Sequence, residues 1–149
     1  MPQLQQASIF KFTKKNKFLI HSLSKIEMGG SIASAPFIWI VGDDSLNKVA
    51  EQLKYVLSKS ETGLPNPLNW GESAKNFLKN IGLKKHSDLY KNTLHVGVLK
   101  KGNIIYFTPM KNLGSEGFIN VTAPEITINE NCIIEEIAHA LQGAFDKCE

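Results

Sequence analysis

The sequence contains no arginine: all 17 of its basic residues are lysine. Arginine supplies the planar fork that reads guanine edges and clamps phosphate through two parallel bonds. Its absence argues against a sequence-specific nucleic-acid reader. Solvated surface lysines in an AT-rich coding background are the plain explanation of the lysine content. Cysteine is scarce too, with only Cys132 and Cys148. No CxxC or HxxxH spacing accompanies them, which argues against a zinc site. Two thiols and no basic segment leading into an apolar stretch near Met1 point to reduced cysteines in the cytoplasm and to no secretory signal. No apolar run approaches the length that spans a bilayer. The nucleophile elbow GxSxG and the metal pair HExxH are missing. Met28-Gly29-Gly30-Ser31 lacks the lysine and hydroxyl ending of a phosphate loop.

What remains is an ordinary globular balance. The chain has 149 residues, 42% hydrophobic and 21% charged, which suits a single domain over residues 1–149 with a sizeable core. The net charge of +3 hides an asymmetry. Between Lys75 and Lys111 the only acid among many lysines is Asp88. From Asn112 onward, Glu116, Glu125, Glu130, Glu135, Glu136, Asp146 and Glu149 face only Lys147. Gathered on one face, these acids would attract a basic partner; the alternative is that the two blocks neutralise each other in space.

The hydrophobic pattern predicts a hairpin at each of two places. Ile9–Phe12 and Phe18–Leu23 flank a lysine-rich turn. Leu94–Leu99 and Ile104–Phe107 flank Lys100-Lys101-Gly102-Asn103, with Pro109 expected to stop the return strand. Phe37–Val41 is a continuous apolar run and reads as a strand buried on both faces. Gly117–Val121 and Glu125–Ile128 are further strand candidates. Leu46–Ser58 carries Leu46, Val49, Ala50, Leu53, Val56 and Leu57 at helical spacing. Ile133–Lys147 carries Ile134, Ile137, Ala138, Leu141, Ala144 and Phe145 likewise. Short helices are expected near Glu72–Ile81, ended by Gly82, and Ser87–Lys91. A shift of 88 residues overlays Ile38 and Ile40 on Ile126 and Ile128, and Val49, Ala50, Leu53 and Leu57 on Ile137, Ala138, Leu141 and Phe145. Two equivalent helices on one sheet would follow. The expected fold is α+β, a single layered domain. A largely antiparallel sheet of about five to six strands is packed by two main amphipathic helices plus short helices. Residues 1–16 are expected to include a loosely held N-terminal strand.

Candidate chemistry is thin. His21 and His95 fall in strands, His86 in a basic loop, and His139 on the polar side of the last helix. Each is better explained as a surface or satisfied structural residue than as a catalyst. Cys132 has Glu130 and Glu135 near it in sequence, which disfavours a thiolate, although the helix N-terminus favours one; a structural thiol is the expectation. Asp43-Asp44 and Glu135-Glu136 stand at helix starts, where carboxylates cap free N–H groups. Trp70 stands in a Pro- and Asn-rich loop outside any stripe, placed for an interface anchor or folded back on the core.

The assembled segments resemble a family. Lys17–Lys25, then Gly30 and Ala33-Ser34-Ala35-Pro36, are similar to the N-terminal region of immunity proteins from bacterial contact-dependent growth inhibition (CDI) systems. So are Tyr55–Ser60, Asn103–Pro109, Gly117-Phe118 and Glu135–Leu141. The resemblance covers roughly Lys17 to Cys148. It departs from the family at Ala50 and Ala138, where glycine is expected, and in its basic net charge. It implies a cytoplasmic inhibitor with no catalysis, cofactor or metal. Its partner would be a cognate toxin C-terminal domain, often a nuclease, bound one to one with its active site covered. The family fixes no contact residues. On charge and exposure, Asp43, Asp44, Trp70, Glu116, Glu125 and Glu130 are the candidate toxin-contacting residues. No membrane partner is expected. The competing readings are a lysine-rich nucleic-acid-binding module over Lys75–Lys111 and a small-molecule enzyme using Cys132 or His139.

Overall fold

The computed structural model describes residues 4–149; residues 1–3, part of the expected loose arm, lie outside the described residues. The strands are β1 (Leu4–Phe12), β2 (Lys17–Lys25), β3 (Ser31–Val41), β4 (Thr93–Lys101), β5 (Ile104–Asn112), β6 (Phe118–Asn120) and β7 (Ile126–Asn129). The helices are α1 (Ser45–Ser58), α2 (Trp70–Ile81), α3 (Ser87–Tyr90) and α4 (Ile134–Asp146), with a 3₁₀ turn at Gly114–Glu116. All the strands join one antiparallel sheet of order β3-β2-β1-β4-β5-β6, with β7 also pairing β5. The expected α+β architecture is present, with seven strands.

The loose N-terminal arm is not what forms. Leu4–Phe12 is the central strand, paired to β2 on one side and β4 on the other. Its alternation explains this. Ala7 and Ile9 face one core and Phe10 and Phe12 the other, and all four are buried. A strand apolar on both faces gains most when both faces are covered. By the same logic β3 puts Ile38 and Ile40 on one core and Phe37 and Trp39 on the other. It is nevertheless an edge strand, and it begins at Ser31, before the apolar run.

Pro109 does not stop β5, which continues to Asn112. The Pro109 carbonyl accepts from Val121 N–H at 3.2 Å. In a strand the N–H and C=O of one residue point the same way. The missing proline N–H therefore faces the gap between the β7 pairing, which ends at Phe107, and the β6 pairing, which starts at Met110. No ladder bond is lost there.

Helices α1 and α4 pack against each other over one face of the sheet. Val49, Ala50, Leu53 and Leu57 join Ile137, Ala138, Leu141 and Phe145 in one buried cluster with Ile9, Ile20, Val96, Ile105 and Phe107. The 88-residue echo is thus real in space. β3–α1 and β7–α4 enter from opposite sides of the sheet, and their helices meet above its middle. Buried Ser22 ties β2 to α1 by donating to the Val56 carbonyl at 2.9 Å.

The second face has its own, thinner cover. Leu78 and Ile81 of α2 close over Phe10, Phe12 and Leu19, with Phe37, Trp39, Phe77, Leu83, Leu89 and Phe118 around them. α2 starts at Trp70, so Trp70 belongs to a first helical turn and not to the loop. Asn69 caps it: its side chain accepts from Glu72 N–H at 3.0 Å. Gly82, at φ 75°, ends it as expected. Asn69→Ala should lower stability by about 1 kcal/mol, measured by chemical denaturation; an unchanged midpoint would mean that this cap contributes nothing.

Candidate functional site

The buried histidines are the most perturbed groups. His21 Nδ1 donates to the Ser22 carbonyl at 2.8 Å. Burial lowers its pKa to about 4, against the raising effect of that bond. His95 is lowered to about 3, first by burial and then by neighbouring His21. Both ring nitrogens of His95 are buried without a hydrogen-bond partner, so the expectation of a satisfied structural histidine fails there. His139 is exposed on α4, as its position in the stripe indicated.

The two thiols are free. Burial, then Glu136, pushes the Cys132 thiol up, and Lys54 partly offsets this. The acid that acts on it is therefore Glu136, in the first turn of α4, and not Glu130 or Glu135. Cys148 is pushed up by burial; its Sγ lies 3.3 Å from the His95 carbonyl. Neither thiol is poised as a nucleophile. Among the described residues, no group of three His, Cys, Asp or Glu side chains is arranged to hold a metal.

The candidate contact residues are distributed over the molecule. Asp43 and Asp44 are exposed between β3 and α1. Asp44 is the residue before α1 but does not cap it: at φ 58° its carboxylate turns from the helix N–H groups and accepts from the Asn47 side chain. An extended backbone is what lets a side chain reach those groups. Glu116 is exposed in the 3₁₀ turn. Glu125 accepts from Thr108 Oγ1 at 2.9 Å. Glu130 pairs with Lys100 at 2.7 Å. That is the one ion pair among the described residues, so the lysine-rich and acidic blocks scarcely neutralise each other by direct contact.

Two clefts gather side chains that the pattern did not bring together. The first, about 510 Å³, lies between β3 and α2. Ile32 and Phe37 from β3, Phe77 and Trp70 from α2, Leu68 and His86 line it. Trp70 is 53% exposed and Leu68 fully so. The second, about 450 Å³, lies between α1 and the start of α4 and is lined by Asp44, Asn47, Glu51, Cys132, Ile133, Ile134 and Glu135. Ile133 and Ile134 are 59% and 40% exposed there, so Ile134 is not on the buried stripe. Of the six candidates, Asp44 falls in the second cleft and Trp70 in the first; no hydrogen bond joins any two of them among the described residues. Leu68, Ile133 and Ile134 were missed. Their signal was position: Leu68 sits between prolines and asparagine, and the isoleucine pair precedes the helical stripe.

The geometry defines an α+β domain with open clefts on its surface, one lined largely by apolar side chains around Trp70 and one that mixes carboxylates with Ile133 and Ile134. The family model for CdiI, the CDI immunity protein, matches residues 5–148, and the chain belongs to that family. None of the curated proteins matches the sequence. Among the solved structures that share the fold are two. One is a protein of unknown function, NMB0488, from Neisseria meningitidis, with a TM-score of 0.79 at 15% identity over 100% of this chain and 98% of that one. The other is in a CdiA-CT/CdiI toxin and immunity complex from Yersinia pseudotuberculosis, with a TM-score of 0.75 at 15% identity over 99% and 98%. Among the described residues, no helix is long and apolar enough to cross a membrane.

Proposed function

We propose that this protein neutralises a CDI toxin by binding the toxin's C-terminal domain one to one in the cytoplasm and covering its active site. The toxin is a nuclease in this reading, and the immunity protein itself catalyses nothing. The observation that carries the reading is the family match over residues 5–148. The likeness to a chain of a toxin and immunity complex supports it, as do the elevated thiols and the buried, unactivated histidines.

Asp43, Asp44, Trp70, Glu116, Glu125 and Glu130 are the proposed contact residues, and Trp70 is the strongest of them. A half-exposed tryptophan beside a fully exposed leucine on a preformed cleft has the character of an interface anchor. Glu130 is the weakest, because Lys100 already neutralises it.

The test is co-purification with the toxin domain encoded beside the gene, with protection of cells that express that domain. Tight one-to-one binding is expected; neither binding nor protection would sink the reading. Trp70→Ala should weaken binding by about 30-fold or more, as loss of an anchor worth at least about 2 kcal/mol does. The Cys132→Ala and His139→Ala variants should protect fully. Loss of protection in either, with the fold intact, would restore the enzyme reading.

A further inference from the structure

The two buried histidines lie beneath the Trp70 cleft. His95 stacks on Phe10 with ring centroids 4.3 Å apart, and Phe118 meets it edge-on at 4.8 Å. His21 lies 5.8 Å from the other side of this stack at Phe10. The His21 ring also packs against Phe37 at 5.5 Å and Phe77 at 5.3 Å. Those two phenylalanines line the cleft. The cleft is therefore built over an imidazole, and a second imidazole, His95, lies across Phe10 from it.

Neither ring has an anion to receive a proton against. The group whose charge acts on His95 is His21 itself. On the covering elements the acids are Glu72 on α2, Asp88 on α3 and Glu116 in the 3₁₀ turn; none pairs with either ring among the described residues. Lys75 and Lys79 on α2, Lys84 and Lys85 before α3, Lys17 over the Trp39 ring and His86 on the cleft supply no counter-charge either. A proton on either ring would place a cation in an aromatic cage with no counter-charge, a costly state relative to water. The cover that keeps water out is thin. α2 has 12 residues and α3 has 4, against the paired 14- and 13-residue helices on the other face. The hydrogen bond from Trp39 Nε1 to the Ile81 carbonyl, at 2.9 Å, fastens the end of α2 to the sheet.

We propose that the His21–His95 pair makes the α2 layer an acid-released cover: on mild acidification α2 leaves the sheet, the Trp70 cleft comes apart, and the sheet with α1 and α4 persists. That toxin docking is lost with the cleft rests on the neutralisation reading above. The depressed pKa of both rings agrees with this, since protons are taken up only on release.

Both tryptophans report on the event, Trp39 through its bond to Ile81 and Trp70 from the first turn of α2. The full chain is titrated from neutral to about pH 4, following tryptophan emission and far-UV circular dichroism; the histidines' ordinary pKa of about 6.5 sets the upper limit. The expected result is a red shift in emission below that pH while most of the far-UV signal is retained. His95→Leu and His21→Phe remove one titrating ring each and should move the midpoint down by about one pH unit; His139→Ala should leave it in place. Simultaneous loss of both signals, or an unmoved midpoint in both histidine variants, overturns the proposal. If a variant does not fold at neutral pH, hydrogen exchange on the wild type at mildly acidic pH decides. Amides of 70–81 must open well before those of 45–58, and equal opening overturns it. In a second arm, affinity for the toxin domain encoded beside the gene is compared at neutral and mildly acidic pH. It should fall at least tenfold in the wild type and less in His95→Leu; an equal fall overturns the link to docking. No binding at neutral pH would instead refute the neutralisation reading and leave the emission result standing.

Discussion

Replacing Phe107 by alanine should lower the unfolding free energy by about 3–5 kcal/mol. Phe107 is fully buried and is among the largest fully buried side chains. On β5 it pairs with Val98 of β4 and Ile126 of β7, so three strands meet around it under α1 and α4. Truncation removes the transfer energy of a benzyl group and leaves a void that a layer held by two helices cannot close. Chemical denaturation should show a lower midpoint with an unchanged slope. A loss under about 1 kcal/mol would mean that the layer can collapse into the void, against close packing at this site. Leu68→Ala is the matching control. Leu68 is fully exposed, so its removal should change stability by less than about 0.5 kcal/mol.

The second large effect is a loss of stability on acidification. His21 and His95 have folded pKa values of about 4 and about 3, below the ordinary 6.5. A depressed folded pKa means that the unfolded chain binds protons first. The stabilising contribution is complete above about pH 6.5 and is lost as the pH falls from there toward the folded values. By pH 5 each ring lowers the unfolding free energy by about 2 kcal/mol, about 4 kcal/mol together. That is a large fraction of the stability of an ordinary domain, about 5–15 kcal/mol. Denaturation at pH 7.5 and pH 5 measures it, and His95→Leu should remove about half of the difference. Equal stability at the two pH values would show that the rings are solvated.

The proposed contact residues show how far one-dimensional reading reaches. Trp70 stood out because it broke the pattern around it, and it is indeed half-exposed on a cleft. Its helix was missed by two residues because the stripe of α2 begins at Ala74, while the Asn69 cap is a local hydrogen bond with no periodicity. Glu51 and Glu135, far apart in the chain, line one cleft with Asp44 only because α1 and α4 pack together. Glu130 looked like one more free acid until the β4–β5 hairpin brought Lys100 to it.

The sequence by itself determined the segments and their class. Periods of two and of 3.6 residues mark strands and amphipathic helices, and the 88-residue echo announced two equivalent helices on one sheet, because these are short-range consequences of which side chains avoid water. Tertiary structure alone decided that Leu4–Phe12 is central and not a loose arm, that β3 is an edge, and that β5 runs through Pro109. It also decided that His21 and His95 share one aromatic cage, with His95 left unsatisfied. Strand order, register and the meeting of distant side chains depend on which surfaces bury one another, and no local pattern encodes that pairing.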